Sequence, residues 1–290
     1  MANDSAPTIT LNNGVDIPQI GYGVFLTPPE ETERAVLEAF EVGYRHVDTA
    51  QAYRNEEGVG AAVAACGLPR EDVFLTTKVW ISNAGDERAA RSIDGSLRRL
   101  GTDYIDLMIL HQPAGDYITG YRKLEDAYRA GKLRSIGISN FNAAEVQHLI
   151  DECEVMPALI QTECHPYFPQ TELKKLLAQH NIALQAWYPL GGRGNDSIMG
   201  EPLIGELAKA HGKSPAQVIL RWHVQQGNIV IPGSKTPSHI AQNIELFDFA
   251  LTDEEMARIA ALDRGDTIYH RTPELLDQYL HFVPDVDGQE

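Results

Sequence analysis

The chain has 290 residues, 43% of them hydrophobic and 22% charged, a balance that fits one large or two small globular domains. Acidic residues outnumber basic ones 41 to 24, and the formal charge of −17 disfavours a nucleic-acid backbone or an anionic membrane as partner. No run of about 18 apolar residues suits a membrane span, MANDSAPTIT lacks the basic and apolar blocks of a secretory leader, and the 3 scattered cysteines (Cys66, Cys153, Cys164) read as reduced thiols of a cytoplasmic enzyme.

The first predicted element is a hairpin: ITL, then Asn12-Asn13-Gly14, then VDIP, with Asn-Gly supplying the positive φ of a tight turn. Eight strand-like runs follow, at residues 20–25, 46–50, 74–79, 106–111, 134–139, 159–163, 183–188 and 229–233. They are continuous apolar runs rather than alternating ones, as in strands covered on both faces. Between them, apolar residues at 3–4 spacing predict helices over 32–40, 88–100, 120–129, 144–151 and 171–179. Asn142 is placed to N-cap AAEVQHL, Ser214-Pro215 opens AQVILRWHV, and Gly101 and Gly131 follow their helices. Successive βα units with no linker or low-complexity tract predict a closed (β/α)8 barrel, one domain over 1–290. Residues 200–211 and 252–262 add helical material. The aromatic, proline-containing tail 266–290 is expected to fold over one barrel face.

Three successive strand exits carry ionisable side chains: Asp48 and Tyr53 in YRHVDTAQAY, Lys78 in VFLTTKVW and His111 in IDLMILHQP. Parallel barrels assemble their active sites at the C-terminal ends of their strands. Tyrosine, with a reference pKa of about 10, is a poor acid near neutrality. A neighbouring ammonium lowers a phenol pKa, and a carboxylate keeps that ammonium charged. Asp48 holding Lys78, Lys78 tuning Tyr53, and His111 bonding the same substrate oxygen would protonate an oxygen that gains negative charge, as hydride addition to a carbonyl requires. Taken singly, each has a plainer reading: a helix cap for Asp48-Thr49, a surface phenol for Tyr53, a satisfied strand-end histidine for His111. Lys78 at the end of an apolar strand is the hardest to explain away.

No ligand-spaced Cys, His and carboxylate set predicts a metal site. GYG and GGRGN match neither a dinucleotide fingerprint nor a phosphate loop, and no serine nucleophile motif is present. Lys78 as a Schiff-base nucleophile is a weaker alternative, because a charged lysine paired to Asp48 attacks poorly. A cofactor-binding redox sensor of low turnover is a second alternative. With no apolar surface stripe apparent, a monomer is expected.

At these residues, and essentially end to end, the chain resembles the aldo-keto reductase superfamily. GYRHVDTAQAYRNEEGVG, FLTTKVW and DLMILHQP correspond to the segments carrying its Asp, Tyr, Lys and His. RSIGISNF, LIQTECHP and AWYPLG correspond to its cofactor segments, and IVIPGSKTPSHIAQNIELFDF to its last signature. The subgroup it most resembles is that of bacterial 2,5-diketo-D-gluconate reductases. The resemblance implies NADPH-dependent carbonyl reduction with Tyr53 as general acid, tuned by Lys78 and Asp48, and His111 orienting the carbonyl. It implies that Ser139, Asn140 and Gln161 bond the nicotinamide carboxamide and that Trp187 stacks on the ring. Leu190 and Gly191 would line the pyrophosphate, Ser234 and Lys235 the adenosine phosphate, and Gln242 and Asn243 the adenine, with Gly23, Val24, Ile231 and His239 also on the cofactor side. Tyr22, Phe25, Trp80, Gln112 and the tail would shape the substrate pocket.

The chain departs from the family pattern at Gly233 and His239, where lysine and arginine are common. Both changes remove charge expected around a 2′-phosphate, so NADH is expected to be accepted beside NADPH, with Lys235 as a point charge in a shifted position. Gln112 replaces a tryptophan of many relatives, which favours small polar carbonyls: diketo sugar acids, methylglyoxal-like compounds and aromatic aldehydes.

Overall fold

The computed structural model describes residues 6–191 and 197–284. Residues 192–195 of the GGRGN stretch and 285–290 of the tail lie outside the described residues. A hairpin opens the chain, β1 (Thr8–Thr10) and β2 (Asp16–Pro18) pairing antiparallel with Ile9 opposite Ile17. Its turn runs through Asn12, Asn13 and Gly14. Leu11 N donates to Val15 O at 2.8 Å, and Gly14, at φ 84°, takes the left-handed step that glycine adopts freely.

Eight parallel strands follow: β3 (Tyr22–Gly23), β4 (His46–Asp48), β5 (Phe74–Val79), β6 (Leu107–Leu110), β7 (Ile136–Ser139), β8 (Leu159–Glu163), β9 (Ala183–Trp187) and β10 (Ile229–Val230). Each pairs with the next in sequence. The ring closes where Ile20 bridges Val230, Gly21 N donating to Val230 O at 2.8 Å and Val230 N to Gln19 O at 3.0 Å. This is the expected (β/α)8 barrel. Its first and last strands are shorter than the runs 20–25 and 229–233. Pro232 has no N–H to continue the ladder. Beyond it the backbones press together: a Cβ on Gly233 would lie 2.5 Å from Gly23 O.

The helices are α1 (Pro29–Glu41), α2 (Glu56–Ala65), α3 (Asp86–Leu100), α4 (Tyr117–Arg129), α5 (Ala143–Glu152), α6 (Thr171–Gln179), α7 (Pro202–His211), α8 (Pro215–Gln225), α9 (Pro237–Ile244), α10 (Asp253–Ala260) and α11 (Pro273–His281). The predicted caps form. Asn142 and Ser214 each complete a capping box, with Glu145 and Gln217, and Gly101 is the left-handed C-cap of α3. The sequence reading has no helix over α2. Its residues, EEGVGAAVAA, are nearly all small, so they show no 3–4 contrast. They are small because α2 packs tightly against the end of α3: a Cβ on Gly60 would lie 2.4 Å from Arg99 O.

The main core fills the layer between strands and helices, with Val36, Val59, Ile93, Leu124, Val146 and Leu220 essentially inaccessible. Each such side chain contributes about 1.5–3 kcal/mol over remaining exposed. A second cluster joins hairpin residues Leu11 and Ile17 to Phe74, Leu107, Ile109, Leu159 and Ile229. The hairpin thereby covers the N-terminal end of the barrel. All three cysteines are free thiols, and burial pushes Cys164 up to about 11. Among the described residues no helix is long and apolar enough to cross a membrane.

Candidate active site

A cavity of about 950 Å3 opens at the C-terminal ends of the strands. Asp48 is the last residue of β4, paired in register with Thr76 of β5. Lys78 lies two positions beyond Thr76 and so faces the same side of its strand. Its fully buried Nζ donates to Asp48 Oδ1 at 2.5 Å, to Thr49 O at 2.8 Å and to Tyr53 Oη at 3.3 Å, which uses all three ammonium hydrogens. Tyr53 closes a 3₁₀ turn, Gln51–Tyr53, that Gln51 anchors by donating to Ser92 O at 3.1 Å and accepting from Trp80 N at 3.1 Å. His111 follows β6, its ring edge-on to Trp80 at 5.0 Å and to Tyr53 at 5.8 Å. Asp48 therefore caps no helix, and the side chains predicted from three strand exits come together, with Asp48, Tyr53 and His111 on the cavity wall and Lys78 buried behind it, bonded to Asp48 and Tyr53.

Asp48 is held from across the barrel. Its Oδ2 accepts from Gln161 Nε2 at 2.7 Å and from Gln185 Nε2 at 3.1 Å, two amides placed side by side by the β8–β9 register. Burial pushes the Asp48 carboxyl up, and Lys78 and the two amides oppose it. Burial acts to lower the Lys78 ammonium, but Asp48 and Tyr53 outweigh it and hold the group above the ordinary lysine value. Burial raises the Tyr53 phenol; Lys78 pulls it down as expected but does not win, so the net direction is upward rather than downward. Burial, then Lys78, keep His111 well below the usual histidine value, so its imidazole is neutral. His111 Nδ1 is buried without a partner.

Of the residues assigned to cofactor and substrate, Gly23, Phe25, Trp80, Gln112, Ser139, Asn140, Gln161, Trp187, Leu190, Gly191, Ile231, Ser234 and Lys235 line the cavity. Five do not. Tyr22 and Val24 flank Gly23 on the same strand path, so alternation turns them outward into the core under the helices. Tyr22 donates to Ser234 O at 2.6 Å and thus braces the loop after β10 instead of facing a substrate. His239 and Gln242 are exposed on α9 and Asn243 is buried in it, all three off the cavity wall.

Ser139 Oγ is buried without a partner on the cavity wall. Gln161 gives its amide nitrogen to Asp48, and its Oε1 accepts no hydrogen bond from the described residues. A buried hydroxyl and an amide oxygen left open on one wall suit a ligand carrying both a donor and an acceptor, such as a carboxamide. Trp187 Nε1 donates to Asn140 Oδ1 at 2.8 Å.

The sequence does not single out several residues that complete the site. Tyr269 and Tyr279 of the tail line the cavity, Tyr269 edge-on to Trp187 at 5.6 Å and donating to Gln112 Oε1 at 3.1 Å. Trp80 Nε1 donates to the carbonyls of Tyr279 and Phe282. The Glu163 carboxylate, at the end of β8, accepts from Thr267 Oγ1 at 2.6 Å, Ile268 N at 2.6 Å and Tyr269 N at 2.9 Å. The tail does cross the open face. Glu163 was visible only as part of LIQTE, and nothing local marks Gln185 or Tyr269.

The sequence profile described as "Aldo/keto reductase family" matches residues 19–197 and 199–264. An aldo-keto reductase of Mycolicibacterium smegmatis is 46% identical over 263 residues, covering 90% of this chain and 94% of that protein. Methylglyoxal reductase DkgA of Yersinia pestis is 42% identical over 262 residues, covering 89% and 94%. The crystal structure of a Bombyx mori aldo-keto reductase in complex with NADP superposes with a TM-score of 0.86 at 35% identity, covering 92% of this chain and 95% of that one.

Proposed function

This chain belongs to the aldo/keto reductase family and is an NAD(P)H-dependent oxidoreductase, and on that premise we propose that it reduces small aldehydes and ketones to alcohols with Tyr53 as proton donor. The observation that carries the proposal is the chain Asp48–Lys78–Tyr53, whose phenol opens on a cavity wall shared with His111. Bound reduced nicotinamide supplies the hydride. Ser139 Oγ and Gln161 Oε1 would hold its carboxamide, with Trp187 beside them on the same cavity wall. Tyr53 stays protonated through neutral pH because burial holds its phenol high, and Lys78 stabilises the phenolate once the proton has left. Neutral His111, with its buried Nδ1 bare, carries its proton on Nε2 and donates to the substrate oxygen. An orphaned acceptor is tolerated better than an orphaned donor.

The substrate end of the cavity is aromatic, with Phe25, Tyr53, Trp80 and Tyr279 in its wall. Tyr269 occupies Gln112 Oε1, which leaves that wall less polar than a free glutamine would. Small carbonyls with a flat or apolar body fit it best. The test is loss of nicotinamide absorbance with NADPH and NADH against methylglyoxal, an aromatic aldehyde, a diketo sugar acid and a simple ketone. Turnover with at least one aldehyde is expected. Cofactor binding without turnover on the whole panel would reject the reductase reading.

Cofactor choice rests on Lys235. Its Nζ lies 3.5 Å from Glu31 Oε1, both side chains partly exposed, so a 2′-phosphate must compete with a carboxylate for it. Position 233 cannot take a cation in its place, because a side chain there would run into Gly23 O. NADPH is therefore only weakly preferred over NADH. Glu31→Gln should raise the NADPH-to-NADH ratio of kcat/KM by about two- to fivefold, the worth of an exposed ion pair. An unchanged ratio would mean that Lys235 does not read the phosphate.

A further inference from the structure

Arg271 lies in the C-terminal segment, yet its guanidinium bonds to the β7 exit and α5. Its Nη1 donates to Asn140 O and to Glu145 Oε2, both at 2.8 Å, and its Nη2 to Glu145 Oε1 at 2.8 Å. The side chain is only 19% exposed. Glu145 is itself fixed, accepting from Asn142 N at 2.8 Å in the capping box that starts α5. A rigid helix N-terminus thus holds the fork bidentately, and the second Nη1 hydrogen falls on one carbonyl.

That carbonyl belongs to a residue under constraint. Asn140 has φ 65°, a left-handed conformation that needs support outside glycine. Its side chain accepts from Trp187 Nε1 at 2.8 Å and donates to His111 O at 3.4 Å. Asn140 therefore ties the β9 exit to the β6 exit, and Arg271 ties Asn140 to the tail.

We infer that Arg271 is a positioning residue: through Asn140 it sets Trp187 and the backbone at His111, so that the C-terminal segment governs nicotinamide binding as well as the substrate wall. The inference rests on the reading that nicotinamide lies against Asn140 and Trp187. A second anchor of the tail, Glu163 with residues 267–269, makes no hydrogen bond to Asn140 or Trp187 and meets Trp187 only through the ring edge of Tyr269, so the two anchors can be cut separately.

The experiment titrates NADPH into the full-length protein, follows the quenching of tryptophan fluorescence, and measures kcat and KM for methylglyoxal on the same samples. Arg271→Met should raise the NADPH Kd about tenfold, as expected for loss of a hydrogen bond from a charged donor. Arg271→Lys, which keeps a donor for Asn140 O, should recover part of that loss and serves if the Met variant folds poorly. Glu163→Gln should raise the methylglyoxal KM and leave the NADPH Kd within about twofold. Unchanged NADPH Kd in both Arg271 variants would overturn the inference, as would an equal rise in Glu163→Gln, which would mark a general loosening of the tail. Wild-type protein that binds no nicotinamide would instead sink the cofactor reading, and this inference with it.

Discussion

Tyr53→Phe should lower kcat for carbonyl reduction by about 10²- to 10⁴-fold, the usual contribution of a positioned general acid, while the NADPH Kd stays near wild type. The substitution removes one oxygen and little else. The ring keeps its packing against Phe25 at 5.0 Å and against His111 at 5.8 Å, and Lys78 Nζ stays over its face. Lys78 loses its longest hydrogen bond, 3.3 Å, and keeps Asp48 and Thr49. A stability cost of about 1 kcal/mol is expected, against about 2.7 kcal/mol or more in the barrier. The pH profile separates the two candidate donors. If Tyr53 gives the proton, reduction by the wild type persists through neutral pH and declines only toward the raised phenol pKa, above about 10. If imidazolium at His111 gave it, activity would already be lost at neutral pH, since burial and Lys78 both hold that group well below the ordinary histidine value. A Tyr53→Phe enzyme with near-normal kcat would remove the proton-donor assignment.

Lys78→Met should be the most damaging change for stability, at about 3–5 kcal/mol near neutral pH, because it leaves a buried carboxylate with no cation. Both partners are essentially inaccessible, Lys78 at 0% and Asp48 at 2% side-chain exposure. Without Lys78, only the two amides oppose the burial that pushes Asp48 up. Its folded-state pKa then stands above the unfolded value of about 3.9. Such a group contributes its full stability below the unfolded pKa and loses it as pH rises through the folded one. The deficit of the variant against wild type is therefore smallest in acid and widens toward neutrality. Denaturant unfolding at about pH 5 and about pH 8 tests this, and a deficit that narrows as pH rises would contradict the ion pair. Activity should fall at least about a hundredfold as well, since the phenolate left after proton transfer loses its nearest cation.

Much of this site was legible in the sequence because it is built from strand exits. A short apolar run followed by an ionisable residue is a local pattern, and the barrel brings such exits together by construction. Asp48, Tyr53, Lys78 and His111 were therefore grouped from the sequence alone, and the fold brings them together. The helix caps at Asn142 and Ser214 were also local, since the side chain bonds a backbone N–H three residues away.

Other assignments depended on which way a side chain turns. Tyr22, Gly23 and Val24 are adjacent in sequence, but only Gly23 lines the cavity. α2 was missed because its small residues answer to a neighbouring helix and not to a pattern of their own.

What the sequence by itself determined was the order of strands and helices, and with it the barrel and the ring of ionisable exits. These follow from periodicity and from hydrogen bonds between near neighbours. Only the tertiary structure decided which groups are paired, opposed or left open. Gln185 reaches Asp48 over 137 positions, Arg271 reaches Asn140 over 131, and Trp80 reaches the Phe282 carbonyl over 202. No local propensity encodes such contacts. They exist because closing the barrel and folding the tail across it bring distant groups into a space that water has left, where each polar atom must find its partner in another part of the chain.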